Sequence, residues 1–149
     1  MIALIQRVSK AAVHVNGQCL GRIRHGILAL IGVERNDSEK EADRLLQRIL
    51  AYRIFPDGED RMNLDLRETG GSLLIIPQFT LAANTRKGNR PSFTAAAEPA
   101  EGQRLFDYLV DRASGQLTHV ATGRFGADMK VSLVNDGPVT FWLQVPPTA

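Results

Sequence analysis

The chain has 149 residues, enough for one domain, 1–149, that buries a sizeable core without disulfide or metal staples. Apolar residues make up 44% and charged residues 23%, which excludes a disordered or collagen-like chain. A net charge of +2 and a pI near 9.0 fit either an ordinary solvated surface or an anionic partner. Two basic clusters carry the second reading: Arg22, Arg24 and His25, and Arg86, Lys87 and Arg90.

In chain order, Ile2 to Val15 alternates apolar and polar residues and reads as a strand. Asn16-Gly17 signals a type I′ hairpin, with a returning strand through Leu20 and Ile23. The single cysteine, Cys19, falls on that strand, cannot form an internal disulfide, and reads as a small packing residue. Ile27 to Val33 is apolar throughout, as in a strand buried on both faces. Ser38-Glu39-Lys40-Glu41 is a capping box, and Ala42, Leu45, Leu46, Ile49 and Leu50 follow at helical spacing. Pro56-Asp57-Gly58 marks a turn, and Met62 to Leu64 a short extended piece. Leu73 to Ile76 reads as a strand that stops at Pro77, since proline cannot donate to a ladder. Thr80 to Glu98 is irregular, a length often functional in compact domains. A second helix runs from Glu98 to Ser114, with Pro99 at its start and Gly115 at its end. Two strands close the chain, Lys130 to Val134 and Val139 to Val145. Asn135-Asp136-Gly137-Pro138 lies between them and, taken alone, reads as a hairpin turn. The order predicts an α/β chain with a mixed, mostly antiparallel sheet and two helices packed on it.

Conventional chemistry is absent from the pattern. His14, His25 and His119 are scattered, with no paired ligand spacing, so no metal site is predicted. No phosphate loop or nucleophile elbow occurs. The carboxylates Asp57, Glu59, Asp60, Asp65 and Glu68 read as a solvated loop. The N-terminus lacks the pattern of a signal peptide, and no apolar run reaches 18 residues; the expectation is a cytoplasmic protein without a membrane span. Either the protein only binds, or it catalyses with backbone and substrate groups, for which well-placed N–H donors suffice.

Gln78-Phe79-Thr80-Leu81 and Asn135-Asp136-Gly137-Pro138-Val139-Thr140 together resemble the paired signature motifs of the D-aminoacyl-tRNA deacylases, first described as D-tyrosyl-tRNA deacylases. The likeness extends through "MIALIQRV", "GGSLLII", "RPSF" and "TGRFGADM", over nearly the whole chain. It implies a sheet partly rolled into a barrel. It implies hydrolysis of the ester that links a D-amino acid, or glycine, to tRNA, by a homodimer without metal or organic cofactor. It further implies that a cis Gly137-Pro138 enters the partner's site and selects chirality by excluding L side chains. Main-chain N–H groups of Gln78, Phe79 and Thr80 would hold the oxyanion, with the tRNA 2′-hydroxyl assisting. Thr80 is then a lining residue rather than a nucleophile, and Phe79 either stacks on adenine or fills the core. Arg7 would support the Gly-Pro loop, Met129 would lie near it, and Lys87 and Arg90 would meet tRNA phosphates. Pro77 departs from the family, which usually has serine there. Two other readings remain: a non-enzymatic tRNA-binding module, and a deacylase of another mischarged tRNA with a trans Gly-Pro bond.

Overall fold

The computed structural model describes residues 1–148. Its elements are β1 (Ile2–Val15), β2 (Gln18–Ile23), β3 (Gly26–Gly32), α1 (Glu39–Ala51), β4 (Phe55–Pro56), β5 (Met62–Leu64), α2 (Leu66–Thr69), β6 (Ser72–Pro77), a 3₁₀ turn (Phe79–Ala82), α3 (Pro99–Ser114), β7 (Val120–Thr122) and β8 (Lys130–Gln144).

The long strand β1 organises the sheet because it has more neighbours than a strand has edges. On one edge Ile2–Val8 pairs with β3, then Ala11–Val15 pairs with β2. On the other edge β8 runs antiparallel to almost all of it. β3 continues in parallel to β6, and β6 to β7. β7 then returns toward β2, where His119 Nε2 lies 3.1 Å from the Arg22 carbonyl oxygen. The sheet is thereby nearly closed into a barrel.

Side-chain alternation assigns the two faces. Even positions of β3 and β6 (Leu28, Leu74, Ile76) fill the barrel with Val8, Val13 and Ile23. Odd positions (Ile27, Ile31, Leu73, Ile75) face α1 and α3, meeting Leu45, Ile49, Leu105 and Leu109. β1 changes parity midway: Ala3 and Ile5 face the helices, whereas Ala11 and Val13 face the barrel. Irregular pairing with β8 between Gln6 and Lys10 accounts for the switch, since an extra residue turns every later side chain over.

The capping box forms as predicted: Glu41 Oε1 accepts from Ser38 N–H at 2.9 Å, and Ser38 Oγ from Lys40 N–H at 3.3 Å. Tyr108 Oη donates to Asp43 at 3.0 Å and locks α3 to α1. Gly115 ends α3 as predicted, at φ −77°, in the right-handed region. Sequence periodicity missed α2, the 3₁₀ turn and β7, which are too short to show a period. It also split β8 in two.

At Gly26, β3 passes so close to β6 that a Cβ would lie 1.9 Å from the Ser72 carbonyl oxygen. Gly26→Ala is expected to lower the urea midpoint by the equivalent of about 1–3 kcal/mol or more. Gly58→Ala, where no atom lies within 4 Å of the added Cβ, should change it by less than about 0.5 kcal/mol.

Candidate active site

Asn135-Asp136-Gly137-Pro138 is not a hairpin turn between two strands. Both flanks pair with β1 in the same direction: Asn135 stands opposite Val8, and Thr140 opposite Gln6. The residues Asp136–Val139 therefore face Arg7 alone, and the chain must bow out of the ladder. Side chains hold the base of the bow. Asn135 Oδ1 accepts from Val139 N–H at 2.7 Å, and Asn135 Nδ2 donates to Thr140 Oγ1 at 2.9 Å. Arg7 props it from beneath: Nε donates to the Asp136 carbonyl at 2.9 Å, while Nη1 donates to the Ile54 carbonyl at 2.7 Å. Hydrogen bonds from a charged donor contribute about 1.5–3 kcal/mol each. Gly137 has φ +151°, a conformation that L side chains rarely adopt, and its peptide bond to Pro138 is cis.

The Gln78–Thr80 segment begins where β6 ends. Leu73 N–H and the Ile75 carbonyl bond toward the β7 side, to His119 and Gly123. By alternation Pro77 also turns its nitrogen that way, past Thr122, the last residue of β7. No ladder partner waits there, so proline is tolerated. Gln78 turns back and donates its N–H to the Ile31 carbonyl at 2.7 Å. That bond corrects the expectation of three free donors: Gln78 N–H is already committed to the sheet. The N–H groups of Phe79 and Thr80 open the 3₁₀ turn, where leading donors have no acceptor within the helix.

Phe79 does not fill the core. It is 57% exposed, and its ring lies 5.2 Å from that of Phe93. Beside it is an apolar pocket of about 250 Å³ lined by Ile31, Val33, Pro77, Phe106 and Phe125. Thr80 Oγ1 accepts a short hydrogen bond from Gln78 Nε2, with no histidine or carboxylate bonded to it. A threonine hydroxyl without a base is a weak nucleophile.

Met129 and Pro77 both lie against Gly123: a Cβ there would meet Met129 Sδ at 2.7 Å and Pro77 Cδ at 3.4 Å. It is eight residues along the chain from Gly137, roughly 25 Å of strand, so the two are not neighbours in one chain. Lys87 and Arg90 are exposed on a loop closed by Asn84 and Ser92, whose N–H groups each reach the other's carbonyl. Among the described residues no three His, Cys, Asp or Glu side chains gather as metal ligands. The carboxylates of the acidic stretch serve local backbone: N–H groups of Arg61 and Glu59 hold Asp57 below the usual carboxylate range, and Asp65 caps α2. Asn135 was missed as a site residue, although the same tetrapeptide contains it.

Within one chain the bow and the Gln78–Thr80 segment stand apart. Arg7 pairs with Ile27 and Pro77 with Ile31, a difference of about 13 Å along the strands.

The leading N–H groups of the 3₁₀ turn thus stand beside an apolar pocket. The profile of the D-Tyr-tRNA(Tyr) deacylase family matches residues 4–144, and the chain belongs to that family of hydrolases. A D-aminoacyl-tRNA deacylase of Thioalkalivibrio sulfidiphilus is 67% identical over 147 residues, covering 99% of each chain. That of Escherichia coli K12 is 57% identical over 97% of this chain and 100% of its own. Among solved structures, the c-Myc DNA Unwinding Element Binding Protein superposes with a TM-score of 0.93 at 32% identity, over 98% of this chain and 99% of its own.

A Cβ on Gly137 would lie 2.6 Å from Val139 Cγ2 and 2.9 Å from Val139 N. Gly137→Ala is therefore expected to displace the bow and cut deacylase kcat/KM by about 100-fold or more. The circular dichroism spectrum should stay that of the parent, because the bow lies outside the ladder.

Proposed function

We propose that the chain acts as one deacylase domain, 1–149, that hydrolyses the ester between a D-amino acid and the 3′-terminal adenosine of tRNA. It works as a cytoplasmic homodimer in which each Gly137-Pro138 bow enters the other subunit's site. The observation that carries this is the separation of the two half-sites: one chain presents the free donors of Phe79 and Thr80 at one end of β3 and the propped bow at the other. A two-fold pairing brings unlike ends together. Its surface includes the cross-strand row Leu30, Leu4 and Trp142, which leaves Trp142 52% exposed in the isolated chain.

In the assembled site, the carbonyl oxygens of Gly137 and Pro138, outside the β ladder, receive the substrate ammonium group. Rigid backbone at that distance leaves no room for an L side chain, whereas a D side chain points away and glycine, lacking one, also enters. Water attacks the ester carbonyl carbon. The developing oxyanion is held by Phe79 and Thr80 N–H, the 2′-hydroxyl of the terminal ribose assists proton transfer, and the C–O bond to the ribose breaks. The apolar pocket beside Phe79 takes the adenine, and Lys87 and Arg90 meet phosphates. The likeness to a solved protein named for DNA binding supports a second reading, a module that binds nucleic acid without turnover.

The purified protein should deacylate D-tyrosyl-tRNA in EDTA and leave L-tyrosyl-tRNA intact. Equal hydrolysis of the two enantiomers would remove the chirality claim, and tRNA binding without turnover would favour the binding module. Thr80→Ala should reduce kcat by less than about tenfold; a loss approaching the 10⁶-fold seen when a true nucleophile is removed would restore Thr80 to that role.

A further inference from the structure

The outer face of the barrel is covered unevenly. α1 and α3 lie over the first half of β1 and its neighbours, and the second half is bare. The bare face carries a groove of about 710 Å³ lined by β1, β2, β8 and the turn after β2. Because β1 has changed parity, Lys10, Ala12 and His14 now point outward, while Ala11 and Val13 point into the barrel. In register with Ala12 stand Arg22 on β2 and Ser132 on β8, and opposite Lys10 stands Val134. Arg24 extends the row past the end of β2.

Four basic side chains thus line the groove (Lys10, His14, Arg22 and Arg24), and no carboxylate does. None of the four belongs to an ion pair among the described residues. Other cations are of both kinds: Arg35, Arg61, Arg67, Arg104 and Arg112 each have a carboxylate partner, whereas Arg44, Arg53 and several others have none among the described residues. What sets the groove apart is the grouping on one concave face. The three unpaired cations Lys10, Arg22 and Arg24, grouped on one concave face, create a positive potential that favours a polyanion. Their arrangement suits an extended backbone, since outward residues on one strand recur about every 6.6 Å and neighbouring strands lie about 4.8 Å apart.

The groove also has a position. Val134, on its rim, is three residues from Gly137, about 10 Å along β8. We propose that this groove binds the phosphate backbone of the tRNA acceptor end, and does so for the site of the other subunit, the one its own Gly137-Pro138 bow completes. The proposal rests on the deacylase reading above and adds to it the surface that holds the RNA. It gives the Arg22–Arg24 cluster a role and makes each subunit supply both the chiral filter and the RNA track for its partner.

The test compares Arg22→Gln/Arg24→Gln with a matched control, Arg44→Gln/Arg53→Gln, which removes the same charge from a different surface. Two substrates are used: D-tyrosyl-tRNA, and D-tyrosyl-adenosine, which has the ester but no phosphate backbone. For the groove variant, KM for D-tyrosyl-tRNA should rise about tenfold at low salt with kcat within twofold, and the slope of log affinity against log salt should shrink by about 1.4–2. Hydrolysis of D-tyrosyl-adenosine should be unchanged, and the control should match the parent. An unchanged KM and salt slope overturns the proposal, as does an equal loss on both substrates, which would mean the groove acts on the site's structure. A change in sedimentation mass overturns it too, by making the groove a contact between subunits. If the parent hydrolyses neither substrate, the deacylase reading fails instead, and the affinity of uncharged tRNA for the groove variant, expected to fall about tenfold, still decides the groove.

A mixed dimer settles which subunit's groove is used. Subunits carrying the groove substitutions are combined with Gly137→Ala subunits. If bow and groove serve the same site, the mixture stays at the mean of the two variants, with no recovery. Recovery toward half of the parental activity would place the groove with the Gln78–Thr80 half-site and overturn the assignment across subunits.

Discussion

Four residues of β8 face a single residue of β1, and much of the molecule follows from that mismatch. Backbone removed from a ladder must find other partners or stay open to solvent. Here Arg7 takes the Asp136 carbonyl and Asn135 takes Val139 N–H, so the base of the bow is satisfied and its tip, Gly137-Pro138, is left to project. The same irregular stretch reverses the parity of β1. Below it, odd residues meet the helices; above it, odd residues fill the barrel and even residues line the cationic groove. One local irregularity therefore supports a projecting dipeptide and re-aims the outer face next to it.

Arg7 links this irregularity to the helical layer. Its guanidinium spans from the bow to the Ile54 carbonyl, just beyond α1, so the position of the bow is referred to the packed core. A planar group with several fixed donors can do this; a lysine ammonium, with a single nitrogen, would have to reach both carbonyls from one point. The Gln78–Thr80 segment is referred to the same core by another route, through Gln78 N–H on the Ile31 carbonyl. The bow is thus tied to the segment after α1, and the Gln78 segment to the end of β3.

Legibility in the sequence followed the range of the interaction involved. The capping box at Ser38 and the apolar stripe of α1 act over a few residues, and both were readable. The turn at Asn16-Gly17 was readable for the same reason, with positive φ at both residues. β7 was not: three residues with half-buried faces carry no period, and they become a strand only because β6 offers an edge. Pro77 looked like an interruption because a ladder needs its N–H on one side; that β7 stops short on that side is a fact about another part of the chain. Likewise, the commitment of Gln78 N–H could be seen only once Ile31 lay beside it.

The sequence by itself determined the two long helices α1 and α3, the first hairpin, and the two motifs that mark the family. These are written in local spacing or in short strings of residues. Tertiary structure alone decided that Asn135–Thr140 is a bow in one strand rather than a turn between two, that Gln78 N–H is bonded to the Ile31 carbonyl, and that unpaired cations distant in sequence share one groove. Each of those depends on register between strands far apart in the chain, and a shift of one residue would have reversed which side chains faced out.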